Sequence, residues 1–454
     1  MDISKVNSKI KSKLSPTKII ALGYLIIISV GALLLMLPIS ARNGEFTPFL
    51  DALFTSTSAT CVTGLIIYDT YTHWTIFGQL VILTLIQIGG IGFMTLSITI
   101  LSMTKRKIGL RQRSIMQESV SAQQVGGIVR MTRFIMLTTV IFEGSGAILL
   151  ATQFCPKFGI IKGLYYAVFH SISAFCNAGF DLMGGFSGEC SSLTGFYGNY
   201  IVNITICLLI IFGGLGFYVW ADLYTNKFKF RRLSLTTKIV LTATICLIVF
   251  GAFFIQIAEF NNPAFDNFSI PQKITMALFQ STTTRTAGFN TVDLNSMTDA
   301  SIMIMIPLML IGGSPGSTAG GMKTTTASLM FASVISTFKR KKSVECYKRR
   351  ISDNLLLHVT GLFSLFIGLF VSSTILISMF DDVPMKAIMF ETSSALCTVG
   401  LSLGITSTLN SFSRLVLIAL MYLGRVGCFT VLFAIKDNIK GYVSKYPIEN
   451  VTIG

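Results

Sequence analysis

The chain has 454 residues, 52% of them hydrophobic and only 12% charged, and its mean hydropathy is +0.70. A soluble domain carries roughly 25% charged residues, so half that density excludes an ordinary soluble protein and points to an integral membrane protein. Nine scattered cysteines without a C-x-x-C pair support neither a zinc site nor a disulfide framework.

Residues 1–18 are polar and basic, and an apolar run from Ile19 to Pro38 follows. That run is as long as a membrane span needs to be, and no small-residue cleavage site follows it. Next comes Phe46 to Phe54, with Thr47 as the expected N-cap and Pro48 at the first helical position. This helix is too short to cross a bilayer and runs into Ser58-Ala59-Thr60-Cys61-Val62-Thr63-Gly64. A second apolar run, about Trp74 to Met103, contains Gly89-Gly90-Ile91-Gly92.

The same order recurs three times. First runs lie near 131–153, 236–258 and 355–379, and short helices lead from Lys162, Pro271 and Pro384 into three further glycine stretches. These are Ser173 to Gly179, Thr282 to Gly288 and Ser394 to Gly400, with glycine separations of 115, 109 and 112 residues. Three copies carry a cysteine three residues before the glycine (Cys61, Cys176, Cys397), and the third has Arg285 there. Ten residues before it stand Phe54, Phe169, Leu278 and Phe390. Second runs near 199–222, 301–337 and 412–435 repeat the inner glycines as Gly213-Gly214-Leu215-Gly216, Gly312-Gly313-Ser314-Pro315-Gly316 and Gly424-Arg425-Val426-Gly427. Two motifs recurring in step establish an internal fourfold repeat.

The expected architecture is therefore an all-α integral membrane protein of one membrane domain. Four tandem span–pore helix–span repeats, at about 19–103, 131–222, 236–337 and 354–435, give eight transmembrane helices around a pseudo-fourfold axis. Basic tails and loops fall at 1–18, 104–130, 223–235, 338–353 and 436–454. Of 36 Lys and Arg residues, 27 lie in these tails and at their borders, six lie on the opposite side, and Arg285, Lys323 and Arg425 lie at membrane depth. By the positive-inside rule both termini are cytoplasmic and the glycine stretches open outward. The net charge of +16 thus reports topology and contact with anionic lipid, not nucleic acid.

Non-helical backbone at membrane depth is tolerated only where protein buries it or it lines a water-filled path. Four such stretches around one axis can turn carbonyl oxygens inward in place of an ion's hydration shell. Glycine supplies the unusual dihedrals at no steric cost. The short helices aim their carbonyl ends, each about half a negative charge, at the same axis, which favours a cation. Carbonyls without a ring of carboxylates suit a monovalent ion.

With these motifs the chain resembles the Trk/Ktr/HKT superfamily of potassium uptake proteins over nearly its whole length. The most specific pieces are Phe279 to Thr291 and Gly316 to Thr324. The nearest branch is the bacterial Ktr membrane subunit, the KtrB/KtrD type, because the chain begins at the first repeat and lacks the two leading spans of Trk subunits. The resemblance implies a potassium filter at Val62-Thr63-Gly64, Asn177-Ala178-Gly179, Thr286-Ala287-Gly288 and Thr398-Val399-Gly400. It also implies an intramembrane gate loop at about Gly312 to Thr326, where the third inner span breaks: Gly312, Gly313, Ser314, Gly316, Ser317, Gly320 and Gly321, with Lys323 and Arg425. Proteins of this type are homodimers in the cell membrane that bind a cytoplasmic nucleotide-binding ring subunit (KtrA/KtrC type), and many depend on sodium. The cargo would be K⁺, with Na⁺ as the coupling candidate and no covalent cofactor.

Individual residues carry competing readings. Arg425 replaces a small residue at a depth where charge costs at least ~2.5 kcal/mol, either as a gate element bonding loop carbonyls or as a structural tie. Lys323 belongs to the gate or snorkels to the cytoplasm. Arg285 is expected to brace the filter outward, since a cation in the pore would repel the cargo. Glu143 reads as a buried partner for a polar group, and the recurring cysteines as small packing residues. Cys155 and Cys190 bracket the second motif, leaving an extracellular pairing open. His170 with Cys176 makes a poor catalytic pair, and His73 and His358 look ordinary.

Two other functions compete. A tetrameric-type cation channel would need two-span monomers, whereas this chain holds all four repeats, so the channel alternative is an uncoupled K⁺/Na⁺ pore of the same architecture. A membrane enzyme would need convergent acids, bases or metal ligands, which three histidines and few buried carboxylates do not provide.

Overall fold

The computed structural model describes residues 15–92, 95, 96, 115, 117 and 128–435. The basic stretches 1–14 and 436–454 and most of 97–127 lie outside the described residues. Four long apolar helices are the first elements of the repeats: α1 (Pro16–Met36), α4 (Ile128–Phe158), α8 (Leu235–Ala258) and α12 (Asp353–Phe380). Each is mostly exposed on one face, with Ile26 and Val30, Ile141 and Ile148, Ile245 and Phe253, and Val371 and Ile375 turned outward.

Each is followed by a short helix that enters the protein and stops: α2 (Phe49–Thr60), α5 (Ile160–Phe175), α9 (Ile270–Thr283) and α13 (Met385–Leu396). Pro48 itself occupies the cap of α2, so Thr47 is not the N-cap; its hydroxyl instead faces His73 Nε2 at 3.4 Å. Buried aromatic rings anchor the four short helices at Phe54, Phe169, Phe279 and Phe390. Two residues further on, Ser56, Ser171 and Ser281 donate to the carbonyls of Ile28, Glu143 and Ile248 in the preceding long helix, and Thr392 meets Thr374. Gly31, Gly146 and Gly251 face those serines so closely that a Cβ would collide. Within a bilayer, such small-residue packing and interhelical hydrogen bonds hold helices together where hydrophobic burial cannot.

Phe279, not Leu278, is the third equivalent of Phe54. Leu278 is 39% exposed whereas Phe279 is fully buried, and one residue fewer separates Phe279 from Gly288 than in the other repeats. The shortened turn is visible in the backbone. Thr63, Ala178 and Val399 donate to the fifth carbonyl back, whereas Ala287 donates to Thr283, the fourth. The third stretch therefore has a deletion between Phe279 and Arg285, while Arg285 directly precedes the left-handed Thr286 as Cys61, Cys176 and Cys397 precede Val62, Asn177 and Thr398.

The second elements all begin at a capped residue: Thr75, Asn199, Thr298 and Asn410 each accept from the N–H three residues on. None of the four continues as one straight helix. α3 (Ile76–Ile91) ends at Gly92, α6 (Tyr200–Leu215) ends at Gly216 before α7 (Phe217–Thr225), and α14 (Ser411–Val426) ends at Gly427 before α15 (Cys428–Ile435). These three glycines share φ near +90° (86°, 93° and 93°), which a side chain would resist. The pair α6–α7 bends by 88°. In the third repeat α10 (Asp299–Leu310) and α11 (Thr324–Phe338) are parted by a longer loop. The expectation of one broken span is thus corrected: the last glycine of the inner motif breaks the other three as well.

A two-stranded hairpin not foreseen in the sequence pairs Glu345–Cys346 with Arg349–Arg350. Cys155 and Cys190 are both free thiols.

Candidate functional site: four turns around one axis

Each short helix ends beside the protein axis in a turn of the same shape. Val62, Asn177, Thr286 and Thr398 are left-handed (φ 58°, 60°, 65° and 51°), and two residues later so are Gly64, Gly179, Gly288 and Gly400 (φ 98°, 72°, 79° and 93°). A left-handed β-branched residue costs of order 1–3 kcal/mol and persists only where its surroundings over-determine it. Here they do: Thr63, Ala178 and Val399 donate to Ser58, Ser173 and Ser394 carbonyls at 2.7–2.8 Å, and the Ser58 and Ser394 hydroxyls accept from Gly64 and Gly400. Ser173 and Thr283 instead donate to the carbonyls of Phe180 and Phe289.

The four turns form a closed ring. A Cβ on Gly64 would lie 2.5 Å from the Ala178 oxygen, one on Gly179 would lie 2.8 Å from that of Ala287, and one on Gly288 would lie 2.8 Å from that of Val399. A Cβ on Gly400 would collide with the Thr63 oxygen, which completes the circuit. The carbonyls of Thr63, Ala178, Ala287 and Val399 therefore gather at the ring, all four residues being fully buried.

The inner glycine motif has a matching purpose. Gly89, Gly213 and Gly424 sit against the last helical carbonyls of the short helices, those of Thr60, Phe175 and Leu396, where a Cβ would overlap the oxygen. The sequence displays this motif four times but offers no reason for it; the reason is contact with the next element.

Packed against the second and fourth turns lies the segment 311–323. Its two ends are joined, with Gly312 N–H donating to Met322 (2.8 Å) and Thr324 N–H to Gly313 (3.0 Å). Ser314 and Thr318 donate from their backbones to Gly214 and Gly213, and Phe217 N–H to Gly316. Gly321 N–H reaches Gly424 on the other side. The helix breaks at Gly216 and Gly427 free these acceptors, since the last carbonyls of a helix have no partner within it. Ser317 Oγ closes a turn onto the Ser314 carbonyl at 2.7 Å, and Gly320 and Gly321 pass against Thr398 and Cys397 with no room for a side chain.

Three cations hold this segment by its carbonyls. Arg425 donates to Thr318 and also to Gly89 and Gly90 of the first repeat, so one guanidinium joins three repeats. Lys323 Nζ donates to Ala319 at 2.8 Å. Arg285 turns away from the ring, to Thr244 O (3.4 Å) and Gly312 O (3.3 Å). Behind the second turn, Gln87 Nε2 donates to both oxygens of Glu143 at 3.1 Å, and the Cys176 thiol also faces this pair. His170 holds Tyr166 O and Leu182 N–H and is structural. Beside the loop is a cavity of about 330 Å³, lined by Tyr24, Gly92, Phe217, Lys323, Arg425 and Gly427 among others.

Reading the motifs alone did not single out Thr318, whose hydroxyl reaches Asn177 Oδ1 at 3.0 Å and Phe175 O at 3.1 Å. Its only signal is its place within the glycine-rich run.

Four span–pore helix–span repeats closing around a ring of carbonyls define a multi-pass membrane transport protein. The chain belongs to the TrkH family of cation transport proteins, whose model matches residues 15–442. It is similar to the potassium/sodium uptake protein NtpJ of Enterococcus hirae, 37% identical over 99% of each chain. It is also similar to the Ktr system potassium uptake proteins B and D of Bacillus subtilis. These are 37% identical over 97% of each chain, and 34% identical over 98% of this chain and 99% of the relative. The crystal structure of the potassium transporter TrkH from Vibrio parahaemolyticus has the same fold, with a TM-score of 0.74 and 18% identity over 93% of this chain and 86% of that one. These relatives are transport proteins, not enzymes.

Proposed function

We propose that this chain takes up K⁺ across the cell membrane, with both termini cytoplasmic, through a filter formed by Val62-Thr63-Gly64, Asn177-Ala178-Gly179, Thr286-Ala287-Gly288 and Thr398-Val399-Gly400. The observation that carries the reading is the ring of four buried carbonyls closed by four left-handed glycines. Carbonyl dipoles without a carboxylate bind a dehydrated monovalent cation and offer little to an anion. The segment 312–321 is the gate: it crosses the axis inside the ring, and the positive charges of Arg425 and Lys323 oppose cation passage while it stays there. Na⁺ is the second ion of this reading, as a coupling or competing species, in keeping with the potassium/sodium uptake named for the Enterococcus relative. The working form is a homodimer docked on a cytoplasmic nucleotide-binding ring subunit, whose binding shifts α11 and withdraws the loop.

The test is K⁺ and Na⁺ uptake by cells lacking their own potassium transporters. Wild type should restore K⁺ uptake, and Gly64→Ser and Gly288→Ser should lower the K⁺ preference over Na⁺. Unchanged ion preference in both variants would remove the filter assignment.

A further inference from the structure

The four turns share a backbone shape but not a side chain at the left-handed position. Val62 is apolar, and the buried hydroxyls of Thr286 and Thr398 have no hydrogen-bond partner among the described residues. Asn177 alone of the four is tied on both sides. Its Nδ2 donates to the Arg285 carbonyl at the third turn (3.4 Å), and its Oδ1 receives the Thr318 hydroxyl from the loop (3.0 Å). That hydroxyl also lies 3.1 Å from the Phe175 carbonyl, the last of α5. Both side chains are fully buried, and Gly213 leaves the space in which they and the Phe175 carbonyl meet.

The geometry points to Asn177 as the residue that couples the loop to the ion preference of the ring. This rests on the filter and gate reading above and goes beyond it. While the loop lies across the axis, Thr318 fixes the Asn177 side chain, which in turn joins the second turn to the third. When the loop withdraws, Oδ1 loses the Thr318 donor, and the amide, no longer held from that side, is free to rotate to another partner. The second turn then relaxes, so the ring in the open state differs from the ring in the closed state at one of its four corners. Coupling between two sites is reciprocal. An ion that favours the clamped form of Asn177 therefore favours the closed loop, and an ion that favours the released form promotes opening. Asn177 is a positioning residue here, since it acts through its own backbone carbonyl and those of its neighbours.

The test uses the full chain in proteoliposomes, with two readouts. One is the ratio of K⁺ to Na⁺ uptake. The other is the rise in melting temperature given by K⁺ relative to Na⁺ in detergent, which needs no flux. Thr318→Val keeps the shape and the backbone carbonyl held by Arg425 but removes the hydroxyl; Thr318→Ser restores it. Thr318→Val should raise flux and change the K⁺:Na⁺ ratio by roughly three- to tenfold, the range for one neutral hydrogen bond, and Thr318→Ser should return both to wild type. In an Asn177→Ala background Thr318→Val should leave the ratio where Asn177→Ala put it. Flux raised by Thr318→Val with both the ratio and the K⁺-specific melting shift unchanged would overturn the coupling and leave the gate standing. A ratio that changes equally with and without Asn177 would overturn it too. Unchanged ratios in both Gly64→Ser and Gly288→Ser would instead sink the filter reading on which the coupling rests. If Thr318→Val does not fold, the loop-opening change Arg425→Ala takes its place: it must alter the ratio with Asn177 present and leave it unaltered in the Asn177→Ala background.

Discussion

Asp51, near the start of the first pore helix, receives the guanidinium of Arg414 at 2.8 Å, across 363 residues of sequence. The pair closes the ring of repeats by joining the first to the fourth. It is mostly buried, with side-chain exposures of 9% and 17%, and Tyr68 donates to the second carboxylate oxygen at 2.7 Å. Arg414→Ala would strand a buried carboxylate and should cost about 3–5 kcal/mol, toward the lower end because the pair is not fully dry. Asp51→Leu with Arg414→Met should cost less than either single change. Thermal melting in detergent reads this, and a double variant as unstable as the singles combined would show that the two side chains act separately.

The close approach of α6 to α5 predicts a sharp contrast among glycines. Gly213→Ala places a methyl group on the Phe175 carbonyl and 2.6 Å from Asn177 Oδ1. Overpacking of this kind costs about 1–3 kcal/mol or more, and K⁺ uptake should be lost. Gly144 and Gly368 meet nothing within 4 Å. Alanine at either should raise stability slightly, by up to about 1 kcal/mol, with uptake retained. Equal effects at Gly213 and Gly144 would refute the packing argument.

For the proposed gate, Arg425→Ala removes the donor that ties Thr318 to Gly89 and Gly90. A hydrogen bond to a charged group is worth about 1.5–3 kcal/mol, so the closed–open balance should move roughly ten- to a hundredfold toward open. Flux should rise and depend less on the proposed ring partner, as it should when the loop is shortened between Gly316 and Gly320. Low, fully partner-dependent flux in both variants would make the loop a structural break only.

The connection between the first turn and α3 predicts an acid sensitivity. Burial holds the His73 imidazole below its ordinary pKa of 6.5, against a smaller opposing pull from Asp51. The ring stacks on Tyr68 at 4.2 Å. The unfolded chain therefore binds the proton more readily than the folded one, so stability is full above the unfolded value and is lost as pH falls below it. Melting temperature should drop between about pH 7 and 5, and His73→Phe, which keeps the stacking, should flatten that drop. An identical pH profile in the variant would assign the effect to other groups.

Sequence alone determined the fourfold repeat, the order of long and short helices and the four axial glycines. Each follows from local properties: apolar length, helix caps, and a residue free to take positive φ. Arg285 and Glu143 could be read as buried polar groups for the same reason, since charge in an apolar run must find a partner. Tertiary structure alone decided which partner. It turned Arg285 to Thr244 and Gly312, brought Arg425 to a carbonyl of the loop and two of the first repeat, and set Phe279 rather than Leu278 in the core. It also showed that Gly92, Gly216 and Gly427 break their helices as the third repeat's loop does. A glycine within a helix is tolerated until a neighbouring backbone needs its freed carbonyl. Here the neighbours are the loop and Arg425, brought there from other repeats by packing at distances along the chain that no local pattern records.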